Sequence, residues 1–367
     1  DSEMGCYLYK SILRRGGWYC RVDLGGEAAT EFQRGDNPNM TFIKRKEINV
    51  GLRGSLWDQL LSFDLNFFAG KMDGDIARVN SLYPIYFTQV GYPTSSIIPY
   101  INYNIDNRKG FDFSLYLNKK VSEVDLTLGV TGMYSKTEAG KRDESFEYDY
   151  QSRINLPVNG LWGLESLGFF NDQEEINNSP TQQFGDVAPG DLRYKDQNGD
   201  GIIDNNDEIY LGRWDTPLRL GLNFTAKWRN FTFFALADGF FGGQGFKDSS
   251  YYWVRGENKY SDIVRNRWTE ETKNTATYPR LTTSNGANSF RNSDFWLYNT
   301  DRLNLSQVQF TYDIPEAALQ GTFVSGLSVY VSGYNLLTIS KERKHFEMNV
   351  GSSPQTRMYN IGVRGTF

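Results

Sequence analysis

Histidine is almost missing from this chain: His345 is the only one in 367 residues. A histidine-rich metal centre is thereby excluded, and a Ser-His-Asp triad would hang on that one side chain. Cysteine is nearly as scarce, with Cys6 and Cys20 alone. If the turn Arg14-Arg15-Gly16-Gly17 joins a hairpin, the two thiols share a sheet face. They would still stand about four residues apart, roughly 13 Å at strand rise, too far for a disulfide. Strong charge of either sign is lacking too: 39 Lys and Arg against 44 Asp and Glu leave a net charge of −5, which gives no footing for nucleic acid. No apolar run reaches the length of a membrane-crossing helix, and mean hydropathy is −0.55. That excludes transmembrane helices, but not a transmembrane β-barrel, whose alternating strands average to polar. No residue pattern argues for an enzyme. The opening Asp1-Ser2-Glu3-Met4 carries no signal segment, so the chain reads as starting inside a longer protein.

What the chain has in excess is aromatic residues, 15% of the total, set in period-2 alternation. Leu61, Phe63, Leu65 and Phe67 alternate with Ser62, Asp64 and Asn66. Leu220, Leu222, Phe224, Ala226 and Trp228 alternate with Gly221, Asn223, Thr225 and Lys227. The same rhythm predicts strands at 4–13, 17–26, 45–55, 60–73, 109–118, 123–136, 218–228, 231–241, 301–314, 323–337 and 357–367. Connections between them alternate short and long, the long ones being 27–44, 74–108, 137–217, 242–300 and 338–356. Short turns at one edge and long loops at the other mark an outer-membrane barrel, with periplasmic turns, extracellular loops and aromatic girdles. The fold class expected is therefore all-β, an antiparallel transmembrane β-barrel. About eleven strands is an odd count, whereas single-chain bacterial barrels have even numbers, so part of the wall lies elsewhere.

Within the 137–217 loop, Asp196 to Asp207 reads DQNGDGIIDNND. Oxygen-bearing side chains fall at loop positions 1, 3, 5, 9 and 12: Asp196, Asn198, Asp200, Asp204 and Asp207. Gly201 stands at the sharp turn and Ile202 offers its backbone carbonyl. A hard cation wanting six to eight oxygens is served by this spacing, and calcium is the ion expected. Asp207 replaces the longer Glu of helix-loop-helix sites, and neither flank reads as a helix. The motif thus predicts a staple and not a switch; the alternative is an acidic, Gly/Asn-rich surface turn.

The run Pro189-Gly190-Asp191-Leu192-Arg193-Tyr194-Lys195-Asp196, continuing to Asp204, resembles the signature of SusC/RagA-type TonB-dependent transporters of Bacteroidetes. Gln173-Glu174-Glu175-Ile176 resembles the segment before it; Arg267-Trp268-Thr269, Tyr278-Pro279-Arg280-Leu281, Phe295-Trp296-Leu297, Arg302-Leu303, Tyr312-Asp313-Ile314-Pro315 and Asn335-Leu336-Leu337-Thr338 follow in the family's order. Phe367 suits a final strand read by the barrel-assembly machinery. The resemblance implies that residues 1–367 are the C-terminal half of a 22-stranded, plugged barrel, with the plug outside this chain. It implies a SusD-like surface lipoprotein as lid, TonB engaged through the plug region, and active import of glycans or oligopeptides across the outer membrane. Two other readings stay open, a calcium-stapled adhesion β-protein and a passive porin.

Remaining features are weaker. Lys44-Arg45-Lys46 and Lys341, Arg343 and Lys344 fall at the outer rim, where basic side chains meet lipopolysaccharide phosphates or merely face solvent. Tyr251, Tyr252, Trp253, Tyr260, Trp268 and Tyr278 lie in the 242–300 loop and either stack on sugars or pack the loop.

Overall fold

A computed structural model describes residues 12–21, 25–84, 98–258, 261–284, 286–344 and 355–367, with side chains from residue 35 onward. Cys6, Tyr260 and His345 lie outside that set, and the Cys6–Cys20 separation with them. Eleven long strands run through the described residues. They are β1 (Ile12–Arg21), β2 (Gly25–Arg34), β3 (Lys44–Leu56), β4 (Leu61–Arg78), β5 (Tyr100–Val121), β6 (Val124–Lys141), β7 (Leu218–Trp228), β8 (Phe231–Phe241), β9 (Arg302–Asp313), β10 (Gly326–Ile339) and β11 (Met358–Thr366). The nine from β3 to β11 form one sheet in chain order, each beside its sequence neighbour, while β1 and β2 pair with each other. The all-β antiparallel architecture expected from the alternation is what the chain adopts.

Two compact units divide the chain. Residues 51–67, 111–135 and 159–367 form the larger, and 1–50, 68–110 and 136–158 the smaller. In the larger unit the period-2 pattern explains the sheet. β7 and β8 pair residue for residue from Leu218 with Phe241 to Trp228 with Phe231, closed by a two-residue turn with Arg229 at φ 51°. At 11 residues each, they have the length of a tilted membrane-crossing strand. Their outer face carries Leu222, Phe233 and, on the next strands, Phe310, Val331 and Ile361, all exposed. So many bare apolar side chains on one face are costly in water and stable against lipid.

The smaller unit departs from expectation. β4 continues to Arg78, β5 begins at Tyr100 and β6 continues to Lys141, so the 74–108 connection is far shorter than its sequence suggests. In the β5 extension Ile101, Tyr103 and Ile105 still alternate with Asn102, Asn104 and Asp106, and specific contacts hold these extensions. Asn102 Nδ2 donates to the carbonyls of Thr41 at 2.8 Å and Gly74 at 2.7 Å, and Arg78 lies 4.8 Å over the Tyr100 ring. The hairpin turn expected at Arg14–Gly17 is also overturned. β1 passes straight through it, with a register shift between Arg15 and Gly17. The glycine pair makes a bulge where a turn was expected. The expected 27–44 loop is correspondingly shortened, since β2 occupies Gly25–Arg34.

Candidate functional site

The two longest connections of the larger unit are not independent loops. Leu164, Leu192, Tyr194 and Ile203 from the first, and Tyr252, Val254, Val264, Tyr278, Phe290 and Trp296 from the second, make one buried core. Trp296 is its centre: it meets Tyr278 edge-on at 5.8 Å and Phe295 edge-on at 4.9 Å, and its indole N–H donates to the Ser289 carbonyl at 2.8 Å. Edge-to-face pairs of this kind contribute about 0.5–1.5 kcal/mol beyond the area they bury. Of the loop aromatics that sequence left between sugar stacking and packing, Tyr252, Trp268 and Tyr278 are buried and pack. Tyr251 is exposed, with its hydroxyl hydrogen-bonded to the Asp262 carboxylate.

Three motif segments that are distant in sequence meet at one junction. Gly190 adopts φ +89°, and a Cβ there would lie 2.4 Å from the Trp268 ring and 2.9 Å from Arg280. Only glycine fits both the left-handed backbone and the close approach. Beside it the buried Asp191 carboxylate accepts from Arg280 Nη2 at 3.0 Å, from the Ser289 hydroxyl at 3.1 Å and from the Ala188 N–H at 2.9 Å. A buried charge needs that many partners. Leu192 and Tyr194 continue the seam. The Leu192 carbonyl accepts from Gln182 and Asn288, and the Tyr194 hydroxyl donates to the Asn288 carbonyl at 2.8 Å. Gln182, Asn288 and Ser289 carry no signal in sequence, because their partners lie 10 to 98 residues away.

The Asp196–Asp207 segment leaves this core as a compact turn. Asp196 Oδ1 accepts from Gly199 N at 2.7 Å and its Oδ2 from Gly201 N at 2.9 Å, and both glycines are left-handed, at φ +76° and +82°. Asn198 Oδ1 accepts from Asp200 N, and Asp200 Oδ1 from Ile202 N. Asp207 is fully buried, with its oxygens taking Gln197 N at 2.7 Å and Asp204 N at 2.9 Å. Asp204 in turn accepts from Asn206 N at 2.7 Å. Backbone N–H groups therefore hold all five side chains of the expected ligand set. Among the described residues no three His, Cys, Asp or Glu side chains are gathered as a ready metal cage. The donor set, carboxylate and amide oxygens with the Ile202 carbonyl, still has the hard character calcium requires, and each carboxylate oxygen keeps a lone pair beyond its one N–H bond. Arg291 ties the turn to the second loop, donating to Asn205 Oδ1 at 3.1 Å while lying 3.8 Å over the Phe184 ring.

Of the basic runs, Lys44, Arg45 and Lys46 are exposed, and Arg45 pairs with Glu47. Arg343 and Lys344 line a cavity of about 300 Å³ with Asn335, Thr338, Gln355 and Arg357.

A meandering antiparallel sheet with an apolar and a polar face, short turns at one end and interlocked loops at the other, is the wall of a transmembrane β-barrel. Comparison with known proteins points to the same class. The chain is 25% identical over 370 residues to the TonB-dependent receptor P26 of Formosa agariphila, covering 91% of itself and 36% of that protein. It is 22% identical over 395 residues to receptor P3 of the same organism, covering 98% and 38%. Among solved structures, the RagAB peptide transporter matches with a TM-score of 0.75 at 18% identity, covering all of this chain and 40% of that one. The RagAB importer in its open-open state gives 0.74. No protein-family model matches the chain. The resemblance to TonB-dependent transporters is thus borne out, in sequence by the two receptors and in fold by the RagAB chains. The chain spans little more than a third of the length of those relatives.

Proposed function

We propose that this chain supplies barrel wall and outer loops to an active importer of nutrient oligomers, glycans or oligopeptides, that is powered by TonB across the outer membrane. The observation carrying this reading is the nine-stranded sheet with an apolar outer face, together with a likeness to TonB-dependent receptors along nearly its whole length. In this reading a SusD-like lipoprotein closes over the interlocked loops, and outer-leaflet lipopolysaccharide meets the basic rim. No catalytic step enters it. Cells carrying the complete protein are expected to lose oligomer uptake when TonB is deleted. Uptake that persists without TonB would make the protein a passive porin, and a chain that dissolves without detergent would make it a soluble adhesin.

Calcium belongs to the same proposal as a brace on the outer face, held by Asp196, Asn198, Asp200, Asp204 and Asp207 with the Ile202 carbonyl. Metal closure of a long loop favours the folded state by restricting the unfolded one. Calcium titration of EDTA-stripped protein should release binding heat that Asp196→Ala and Asp200→Ala each weaken about tenfold or more, the loss of one charged ligand. Equal behaviour of all three proteins would sink the calcium assignment.

A further inference from the structure

The polar face of β7, β8 and β9 holds a row of residues that no contact described above uses. Strand register sets Arg219 opposite Phe240 and Phe240 opposite Arg302, so one aromatic ring lies between two guanidiniums. Arg302 Cζ stands 4.1 Å from the ring centroid and Arg219 Cζ 5.9 Å. The nearest carboxylate on the same face of β8, Asp238, accepts from Asn304 Nδ2 at 2.7 Å and from the Ser306 hydroxyl. Arg219 is exposed and, among the described residues, forms no salt bridge.

The ring face attracts both cations, while the two like charges repel one another. An anion bound at the rim of the ring, facing both guanidiniums, offsets that repulsion. A carboxylate suits the planar guanidinium fork better than any other common anion except phosphate, and the ring offers an apolar surface to the carbon skeleton behind it. Position strengthens the case. Arg219 is the second residue of β7, Phe240 the second-last of β8 and Arg302 the first of β9, so the row lies at the long-loop end of the sheet. Asp238, one inward-facing position further along β8, repels a second carboxylate and so favours one orientation.

We propose that Arg219, Phe240 and Arg302 form a binding station for the carboxylate of an acidic oligomer, as the first layer of the polar face a solute meets after the loops. The station rests on the importer reading, which makes this face the lumen lining. Uronate-bearing glycans and acidic peptides present the same group, and the test separates them.

The experiment is a calorimetric titration of the complete detergent-solubilised transporter with trigalacturonate and its methyl ester, and with triglutamate and its fully amidated form. The parent is expected to bind one of the acids and to discriminate against its uncharged counterpart. Arg219→Gln and Arg302→Gln should each weaken that acid about tenfold, with weakening in Arg302→Lys smaller because the charge is kept. Whichever acid binds identifies the source of the carboxylate. Heat-modifiable gel mobility certifies that each variant folds. Equal binding of an acid and its uncharged counterpart, no binding of either acid, or variants that bind the acid as the parent does would overturn the station. Such a result with TonB-dependent uptake of a neutral oligomer intact would leave the importer reading standing, whereas loss of detergent dependence would remove that reading itself.

Discussion

At the scale of single residues, Gly190 and Tyr278 show how tightly the outer loops are specified. Gly190 needs both a left-handed backbone and a bare α-carbon against Trp268. Gly190→Ala should therefore cost about 2–4 kcal/mol, the sum of a disfavoured φ and an overpacked contact. The change is checked as faster proteolysis of the loops with the sheet still protected. Tyr278 is buried, and burial raises its hydroxyl pKa from 10.0 to about 12, while the Val254 backbone bond pulls it the other way. Its hydroxyl donates to the Tyr252 carbonyl at 2.6 Å, a bond that the phenolate cannot make. Because the folded pKa is the higher, the protonated form is favoured by folding. This contribution is complete below the unfolded value near 10 and is lost as pH rises toward 12. Loop stability should fall through that alkaline window, and Tyr278→Phe should flatten the fall; an unchanged profile in the variant would assign the loss to other groups.

Among the elements, the first and second long connections behave as one body because their aromatic residues share a core. Trp296 is 2% exposed at its centre. Trp296→Ala should cost about 3–5 kcal/mol and raise hydrogen exchange together in 160–213 and 244–299, leaving β7 to β10 protected. Exchange that rises in only one connection would mean that they fold separately. The same elements separate what was legible in sequence from what was not. β7 and β8 coincide with the strands predicted from alternation, since lipid on one face and polar surroundings on the other write a period of two. The outer parts of β4, β5 and β6 are hard to read because Gly74, Gly140, Asn102, Asn104 and Asn107 signal turns, although Ile101, Tyr103 and Ile105 keep the period of two. The β1 hairpin was misplaced because Gly16-Gly17 signals a bulge and a turn with equal strength.

For the whole molecule, the two faces of the sheet should differ in what they tolerate. Leu222 sits near the middle of the apolar face and Thr225 on the polar face. Leu222→Arg should lower folding stability in bilayers by about 2–4 kcal/mol, as expected for a cation at the membrane midplane, while Thr225→Arg should cost far less. Denaturant titration in lipid vesicles measures both. Equal costs would contradict a membrane-spanning wall.

The Asp196–Asp207 spacing, the period-2 strands and the ordered signature segments could be read from sequence alone, because turn chemistry and face alternation act over a few residues. The sequence by itself therefore determined the all-β class, most wall strands and the place of the candidate calcium turn. The tertiary structure alone decided that Gly190 and Asp191 lock onto Trp268 and Arg280, that Asn288 and Ser289 complete that seam, and that Arg219 and Arg302 share the Phe240 ring. Those contacts join residues from about 20 to nearly 100 positions apart, and no local pattern records which distant partner a buried charge or an aromatic face will find.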